Sequence, residues 1–325
     1  MPAPDSEIEK SSGRRRAAWV AAAVLLLFCL TPWASPPLAL GLGAALALAL
    51  ENPAPALSRK AARSLLQISV VLLGFSMDLP TVLRAGASGM LFAAATIGAT
   101  LALGALVRRV LAVERTTSLL ISAGTAICGG SAIAAVGSVV GAAESEMSVA
   151  IGTVFLLNGA ALYLFPPLGH FFHLTQAQFG TWAGVAIHDI SSVVGASSVY
   201  GLAALQRATA VKLSRALWIV PLTLAAAWLH RRRDPSARRA RVPIPWFIGL
   251  FVAASLVRSF SAPVAAESAR IASVARVGMT ITLFLIGAGL SRRALRAVGW
   301  RALAQGIILW IAIAAGSLLV VMRSG

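Results

Sequence analysis

Long apolar segments recur along almost the whole chain, and this feature most limits what the chain can fold into. Of its 325 residues, 58% are hydrophobic and only 12% are charged, and the mean hydropathy is +0.83. A soluble domain usually carries about 25% charged residues. This composition excludes an ordinary soluble enzyme and predicts an all-α, polytopic membrane protein.

Eleven apolar segments are candidate membrane spans, because a helix of about 20 apolar residues crosses the hydrocarbon core of a bilayer. We therefore predict 10–11 transmembrane helices in a single transmembrane domain over residues 1–325, with residues 1–16 as a cytoplasmic tail. The predicted spans are Ala17–Thr31, Pro36–Leu50, Ser64–Met77, Ser88–Val107, Thr116–Val140, Ser148–Phe165, Phe179–Tyr200, Ala210–Leu229, Pro243–Phe260, Ile271–Leu290 and Ala302–Met322.

The excess of basic residues predicts the orientation of the chain. The net charge is +17, from 28 Lys and Arg against 11 Asp and Glu. These residues are scattered between apolar runs and form no continuous basic face, so we expect no nucleic-acid partner. Most of them fall in alternate loops, which places the N-terminus in the cytoplasm and the C-terminus outside. The remaining eight basic residues are assigned to the outer side.

Two other sequence features have ordinary explanations. Cys29 and Cys128 both lie in apolar segments, and neither has a partner at metal-ligand spacing, so we expect buried thiols and no metal site. Arg14–Arg16 precede an apolar stretch, as in a secretory or twin-arginine signal. Because ten further apolar segments follow, we expect a retained first transmembrane helix.

Glycine and polar residues interrupt the fifth and seventh predicted spans. The fifth contains Gly124-Thr-Ala-Ile-Cys-Gly-Gly-Ser and the seventh contains Gly184-Val-Ala-Ile-His-Asp-Ile-Ser. A shift of 60 residues aligns the two and gives six identities between positions 124 and 139. A second similarity links residues 83–86 to residues 295–299. Paired interruptions of this kind predict discontinuous helices, inverted repeats and a transporter binding site.

Residues at the first interruption are candidates for binding an anion. If the helix breaks and restarts near Ser131, its free N–H groups and the positive end of its dipole can face a negative ligand. Cys128, Gly129, Gly130 and Ser131 are therefore predicted substrate-binding residues. The alternative is close packing of helices through small residues.

The pair His188-Asp189 is the sharper feature of the second interruption. Asp189 is the acidic residue placed well inside a predicted span, where ionisable groups are costly and usually functional. We predict that His188 and Asp189 carry a coupling proton and that Ser191 and Ser192 help to bind the substrate. An ion pair with a neighbouring arginine is the alternative for Asp189. Asn158 is a possible ligand contact or an interhelical hydrogen-bond partner.

Several of these motifs resemble a known family. Residues 127–133, residues 72–79, the His188-Asp189 pair and residues 244–247 resemble the YeiH-type sulfate exporter family of bacterial inner-membrane proteins. The resemblance extends from about Pro36 to the C-terminus. It implies a transporter of the bacterial cytoplasmic membrane, similar to the bile-acid, arsenite and riboflavin transporter fold with its crossed, discontinuous helices. The aligned interruptions pair two spans of equal direction, which does not fit a simple five-plus-five inverted repeat.

The resulting hypothesis is a secondary active transporter that exports a small anion such as sulfate, sulfite or a sulfonate-derived anion. The alternatives are a sodium-coupled organic-anion importer, a passive anion channel and, with the least support, an integral-membrane enzyme. An enzyme needs clustered catalytic groups, which the spans lack, so we expect no catalytic residues. We also expect no cofactor, a small anion and the lipid bilayer as partners, and allow for a homo-oligomer.

Overall fold

Helices make up almost all of the structure, a computed structural model that describes residues 4–50, 52–233, 246–289 and 298–323. These residues form no β-strand, and the all-α prediction is confirmed. The helices are α1 Pro4–Phe28, α2 Pro36–Ala49, α3 Pro55–Gly74, α4 Leu79–Leu111, α5 Arg115–Ala126, α6 Gly130–Val140, α7 Glu144–Phe171, α8 Gln176–Ala186, α9 Ile190–Tyr200, α10 Leu202–Ala216, α11 Ile219–Arg233, α12 Trp246–Phe260, α13 Ala262–Ala288 and α14 Trp300–Arg323.

Several of these helices have the length and composition of membrane spans. Within the described residues, five helical segments are long and apolar enough to cross a bilayer. They are Phe92–Leu111, Glu144–Phe171, Leu202–His230, Ala262–Ala288 and Trp300–Arg323. Four shorter apolar helices accompany them: α2, α6, α9 and α12. The polytopic membrane class predicted from the sequence is therefore confirmed.

Helices α2, α3, α12 and α13 pack together, with α1 against α2, and we call these five helices the panel. Glycines let α2 and α13 approach until their backbones touch. A Cβ atom on Gly43 would lie 2.8 Å from the backbone nitrogen of Ala288 and closer still to the carbonyl oxygen of Phe284. Gly287 meets the backbone of α2 in the same way. Small residues at the contact allow this approach, as is common between membrane helices.

We expect Gly43→Ala to lower the yield and the apparent melting temperature of the detergent-purified protein, because the new methyl group meets rigid backbone. The matched control is Gly98→Ala on α4, where a Cβ atom meets nothing within 4 Å. Alanine is the better helix former by about 1 kcal/mol, so the control should be neutral or stabilising. Equal melting temperatures for the two variants would contradict the backbone contact between α2 and α13.

The fifth predicted span folds back on itself as a helical hairpin of α5 and α6. A Cβ atom on Gly124 would lie 2.8 Å from Ile133, and one on Gly137 would lie 3.5 Å from Leu120. The residue of α5 that is farther from the break, Leu120, contacts the residue of α6 that is farther from it, Gly137. Helix α6 therefore runs antiparallel to α5. The carboxyl groups of Glu114 and Glu146 lie close enough to interact, which places the two open ends of the hairpin side by side.

The seventh predicted span forms a second hairpin from α8 and α9. The rings of Phe179 and Tyr200 stack with centroids 3.8 Å apart, although they lie near opposite ends of this segment. Gln176, which begins α8, accepts a hydrogen bond of 3.0 Å from the backbone of Ala203 just after α9. Two 11-residue helices in line would separate these ends by about 33 Å. The observed contacts therefore require a reversal at the break.

The two hairpins enter the bundle from opposite ends. Helix α7, which has 28 residues, joins the end of the first hairpin to the start of the second and is about 42 Å long. The predicted interruptions are confirmed, but the path of the chain differs from the predicted crossings. Each interrupted segment returns to the side from which it entered, because a glycine or polar break allows a reversal.

The packing also explains the two internal similarities of the sequence. Two sets of contacts repeat within the bundle. Helix α2 packs on α13, and α12 packs on α3 in the same way. In the first hairpin α5 packs on α4 and α7, and in the second hairpin α8 packs on α14 and α10. The first hairpin thus corresponds to the second, and α2–α4 correspond to α12–α14. Because the two hairpins enter from opposite sides, their 60-residue alignment fits an inverted repeat. The order of the parts differs between the copies: the first hairpin follows α2–α4, whereas the second hairpin precedes α12–α14, so the second copy is circularly permuted. Residues 83–86 lie in the first turns of α4, whereas 295–299 lie partly outside the described residues and precede α14.

Labelling from either side of the membrane tests the hairpins. We expect Arg115→Cys and Ser145→Cys to react with an impermeant maleimide from one side, and Ala177→Cys and Leu202→Cys from the other. All four positions are exposed. The native chain is the unlabelled control, because Cys29 and Cys128 are buried. If the two members of either pair react from opposite sides, that segment crosses the membrane.

Candidate functional site

The tip of the first hairpin is a short non-helical connection between α5 and α6. Gly129 there has φ +62° and ψ −125°, a conformation that favours glycine. It precedes the first turn of α6 and has no side chain to cap it. A Cβ atom on Gly129 would lie 3.6 Å from the Cβ of Asp189 and 3.8 Å from Nδ2 of Asn158. The tips of the two hairpins therefore meet.

Asp189 occupies the tip of the second hairpin and caps helix α9. Its Oδ2 accepts a hydrogen bond of 3.1 Å from the backbone N–H of Ser191 and a second, shorter one from the Ser191 hydroxyl. The backbone N–H of Asp189 donates to Oδ1 of Asn158 over 3.1 Å. A carboxylate is a favoured group at a helix N-terminus because it accepts from unpaired N–H groups and interacts with the dipole. The structure thus brings Asp189, Ser191 and Asn158 together.

His188 lies beside this cluster in a fully buried position. Its relative exposure is 0%, and neither ring nitrogen has a hydrogen-bond partner among the described residues. Its ring centroid lies 6.4 Å from that of Trp310 on α14, whose indole nitrogen is also unpartnered there. Buried polar groups normally have partners, and an exception needs an explanation such as an unseen water or a ligand.

A small cavity separates this cluster from the panel. Its volume is about 30 Å³, which is room for about one water molecule. Asn158, Ser191 and Ser192 line one side, and Leu40 of α2 and Ile286 of α13 line the other. Three predicted site residues therefore share one cavity at the boundary between the panel and the rest of the bundle.

The other predicted substrate-binding residues have different surroundings. Cys128 is buried at the first tip, Gly130 is half-buried, and Ser131 is exposed on the first turn of α6. These three residues do not line the small cavity. Within the described residues, no group of three or more His, Cys, Asp or Glu side chains is arranged to hold a metal ion.

Two cations that the sequence analysis assigned to the outer side lie at the first tip, and that assignment is corrected. Lys212 and Arg215 on α10 have relative exposures of 0% and 1%. Lys212 Nζ donates to the carbonyl oxygen of Ile127 over 3.0 Å. Arg215 donates to the carbonyl oxygen of Ala126 and to the hydroxyl of Thr96, the latter over 2.7 Å.

The sequence did contain a signal for these cations. Both residues lie inside the predicted eighth span, Ala210–Leu229, and an ionisable residue within a span is by default a functional candidate. Their position near the predicted start of that span does not distinguish them, by local pattern alone, from basic residues that flank the membrane. Burial decides the matter, since the helical segment extends from Leu202 to His230 and places both side chains well inside it.

The described residues therefore define a class: a polytopic membrane protein in which two helical hairpins enter from opposite ends and meet at a buried, charged site. The chain belongs to the family described as Conserved hypothetical protein 698, whose sequence profile matches residues 34–306.

Curated relatives support the same membership. A UPF0324 membrane protein of Porphyromonas gingivalis is 50% identical over 291 residues, which cover 89% of this chain and 87% of the relative. A UPF0324 membrane protein of Bacteroides thetaiotaomicron is 46% identical, with 88% and 86% covered, and one of Bdellovibrio bacteriovorus is 45% identical, with 98% and 97% covered. No solved structure gives a significant match. The names of these relatives state a membrane protein and give no substrate.

Proposed function

We propose that this protein is a secondary active transporter of the bacterial cytoplasmic membrane that exports a small anion such as sulfate, sulfite or a sulfonate-derived anion. One observation carries the proposal: two hairpin tips meet inside a membrane bundle beside two buried cations. Discontinuous helices from two inverted halves form substrate sites in many secondary transporters. The proposed orientation keeps the N-terminus in the cytoplasm, following the distribution of basic residues.

The charges at the tips favour a negative substrate. Lys212 and Arg215 place two basic groups at the tips and Asp189 places one acidic group there, so basic side chains outnumber acidic ones in this described cluster. The first turn of α6 adds the positive end of a helix dipole. The hydroxyl of Ser192 and the amide nitrogen of Asn158, two residues that line the cavity, offer hydrogen-bond donors for an oxyanion.

The small volume of the cavity favours a transporter over an open pore. The cavity of about 30 Å³ between α9 and the panel is far smaller than ligand pockets of about 300–1,000 Å³. Substrate entry therefore requires α9 and the panel helices α2 and α13 to separate. A channel needs no such step for each ion, which makes the passive anion channel the second candidate.

The proposal is tested by a binding screen followed by transport in proteoliposomes. We expect sulfate, sulfite, thiosulfate or a sulfonate to raise the apparent melting temperature of the detergent-purified protein more than chloride does, because stabilisation grows with occupancy. The stabilising anion should then leave loaded vesicles faster when a proton gradient is imposed. Equal flux with and without any ion gradient would favour the channel. The absence of stabilisation and of flux for every oxyanion would contradict the proposal.

A further inference from the structure

Side-chain cations occupy the carbonyl end of helix α5 at the first hairpin tip. Earlier carbonyls of α5 are taken by backbone donors: Ile127 N–H donates to Ala123 and Gly129 N–H donates to Gly124. The carbonyl of Ala126, the last residue of α5, accepts from Arg215, and the carbonyl of Ile127, its C-cap, accepts from Lys212.

This end of a broken membrane helix is where a coupling cation often binds. The dipole places partial negative charge on the last carbonyls of a helix. In transporters with discontinuous helices, unwound carbonyls and half-helix C-termini coordinate Na⁺ or receive the coupling proton. At the first tip, the side chains of Lys212 and Arg215 on α10 occupy these carbonyl positions.

The structure also fixes these cations firmly in place. Lys212 and Arg215 are three residues apart, so they project from one face of α10. Arg215 is held in addition by the hydroxyl of Thr96 on α4. Cys128, Asp189 and His188 are neighbours of this pair around the tips. Among the described residues, neither cation forms an ion pair within 4.0 Å with Asp189.

We infer that Lys212 and Arg215 are resident cations that take the place of a bound alkali ion at the first tip, so that substrate binding does not require Na⁺. The inference rests on the proposed function, in which the two tips form the substrate site. It adds that sodium is not the coupling ion at the first tip. The resident cations neutralise the carbonyl end of α5 and at the same time attract the substrate anion. The coupling ion is then a proton, carried at the second tip.

The experiment compares the wild-type protein with Lys212→Ala in detergent, with NaCl, KCl or choline chloride at equal ionic strength. We expect the wild type to have the same apparent melting temperature in all three salts. Lys212→Ala leaves the carbonyl of Ile127 without its donor, and we expect this variant to gain a saturable stabilisation by Na⁺ or K⁺ relative to choline. The matched control is Arg207→Ala, a half-buried arginine on the same helix that bonds to Thr181.

A saturable, sodium-specific stabilisation of the wild type would overturn the inference. A folded Lys212→Ala that responds to alkali ions no more than Arg207→Ala does would overturn it as well. If Lys212→Ala does not fold, the wild-type titration still decides. These melting experiments contain no transported oxyanion and therefore test the inference alone. If the proposed function is wrong, the flux experiment shows no oxyanion transport while the responses to Na⁺, K⁺ and choline remain as expected.

Discussion

Replacing Asp189 by Asn is expected to reduce coupled anion efflux by about 10- to 100-fold, because charge-assisted hydrogen bonds contribute about 1.5–3 kcal/mol. Asparagine is as good a helix N-cap as aspartate. It can still accept from the backbone N–H of Ser191, to which Asp189 bonds over 3.1 Å. The variant therefore removes the charge and retains the fold.

The measurement is efflux of the stabilising anion from proteoliposomes over a series of pH values. We expect the wild type to show a pH dependence that Asp189→Asn and His188→Gln lose. The matched control is Glu267→Gln, an exposed acid on α13. Unchanged efflux and an unchanged pH profile in both tip variants would remove His188 and Asp189 from the coupling mechanism.

Replacing Arg215 by Leu is expected to cause the largest loss of stability, about 2–5 kcal/mol, because each buried polar group left without a partner costs about 1–3 kcal/mol. Arg215 is a large, fully buried side chain. Its loss would leave the carbonyl oxygen of Ala126 and the hydroxyl of Thr96 without this donor. The shorter leucine would also leave a cavity at the contact between α4, α5 and α10.

Unfolding in detergent, followed by intrinsic tryptophan fluorescence, measures this loss. Arg207→Leu is the control, since Arg207 is half-buried and makes one hydrogen bond of 3.1 Å to Thr181. We expect the control to cost about 1 kcal/mol or less. Similar stabilities for the two leucine variants would mean that Arg215 does not secure the first tip.

Composition and local pattern predicted the class of fold and the positions of the two helix breaks. Hydropathy indicated helices in every apolar segment, because a bilayer requires backbone groups to be satisfied within the segment. Gly129 and Asp189 lie at the two breaks, because glycine permits non-helical backbone and a carboxylate caps the start of a helix. These are properties of a few neighbouring residues, and the structure confirms both breaks.

The reversal of the chain at each break could not be predicted in the same way. A broken helix that crosses and a hairpin that returns have the same local pattern, and both satisfy their backbone groups. Contacts between distant positions distinguish the two paths, such as Phe179 with Tyr200 and Gly137 with Leu120. For the same reason, the alignment relates the two interruptions but does not give the direction in which each one enters the membrane.

The sequence by itself determined an all-α membrane protein with two interrupted helices and an acidic residue at one interruption, because hydropathy and helix capping act over short distances. Only the tertiary structure decided that the two interruptions are hairpin tips in contact and that Lys212 and Arg215 reach the first of them. Those features depend on how α10 packs against α4, α8 and α9. Such packing is set by shape and small-residue contacts over the whole bundle, which no local pattern specifies.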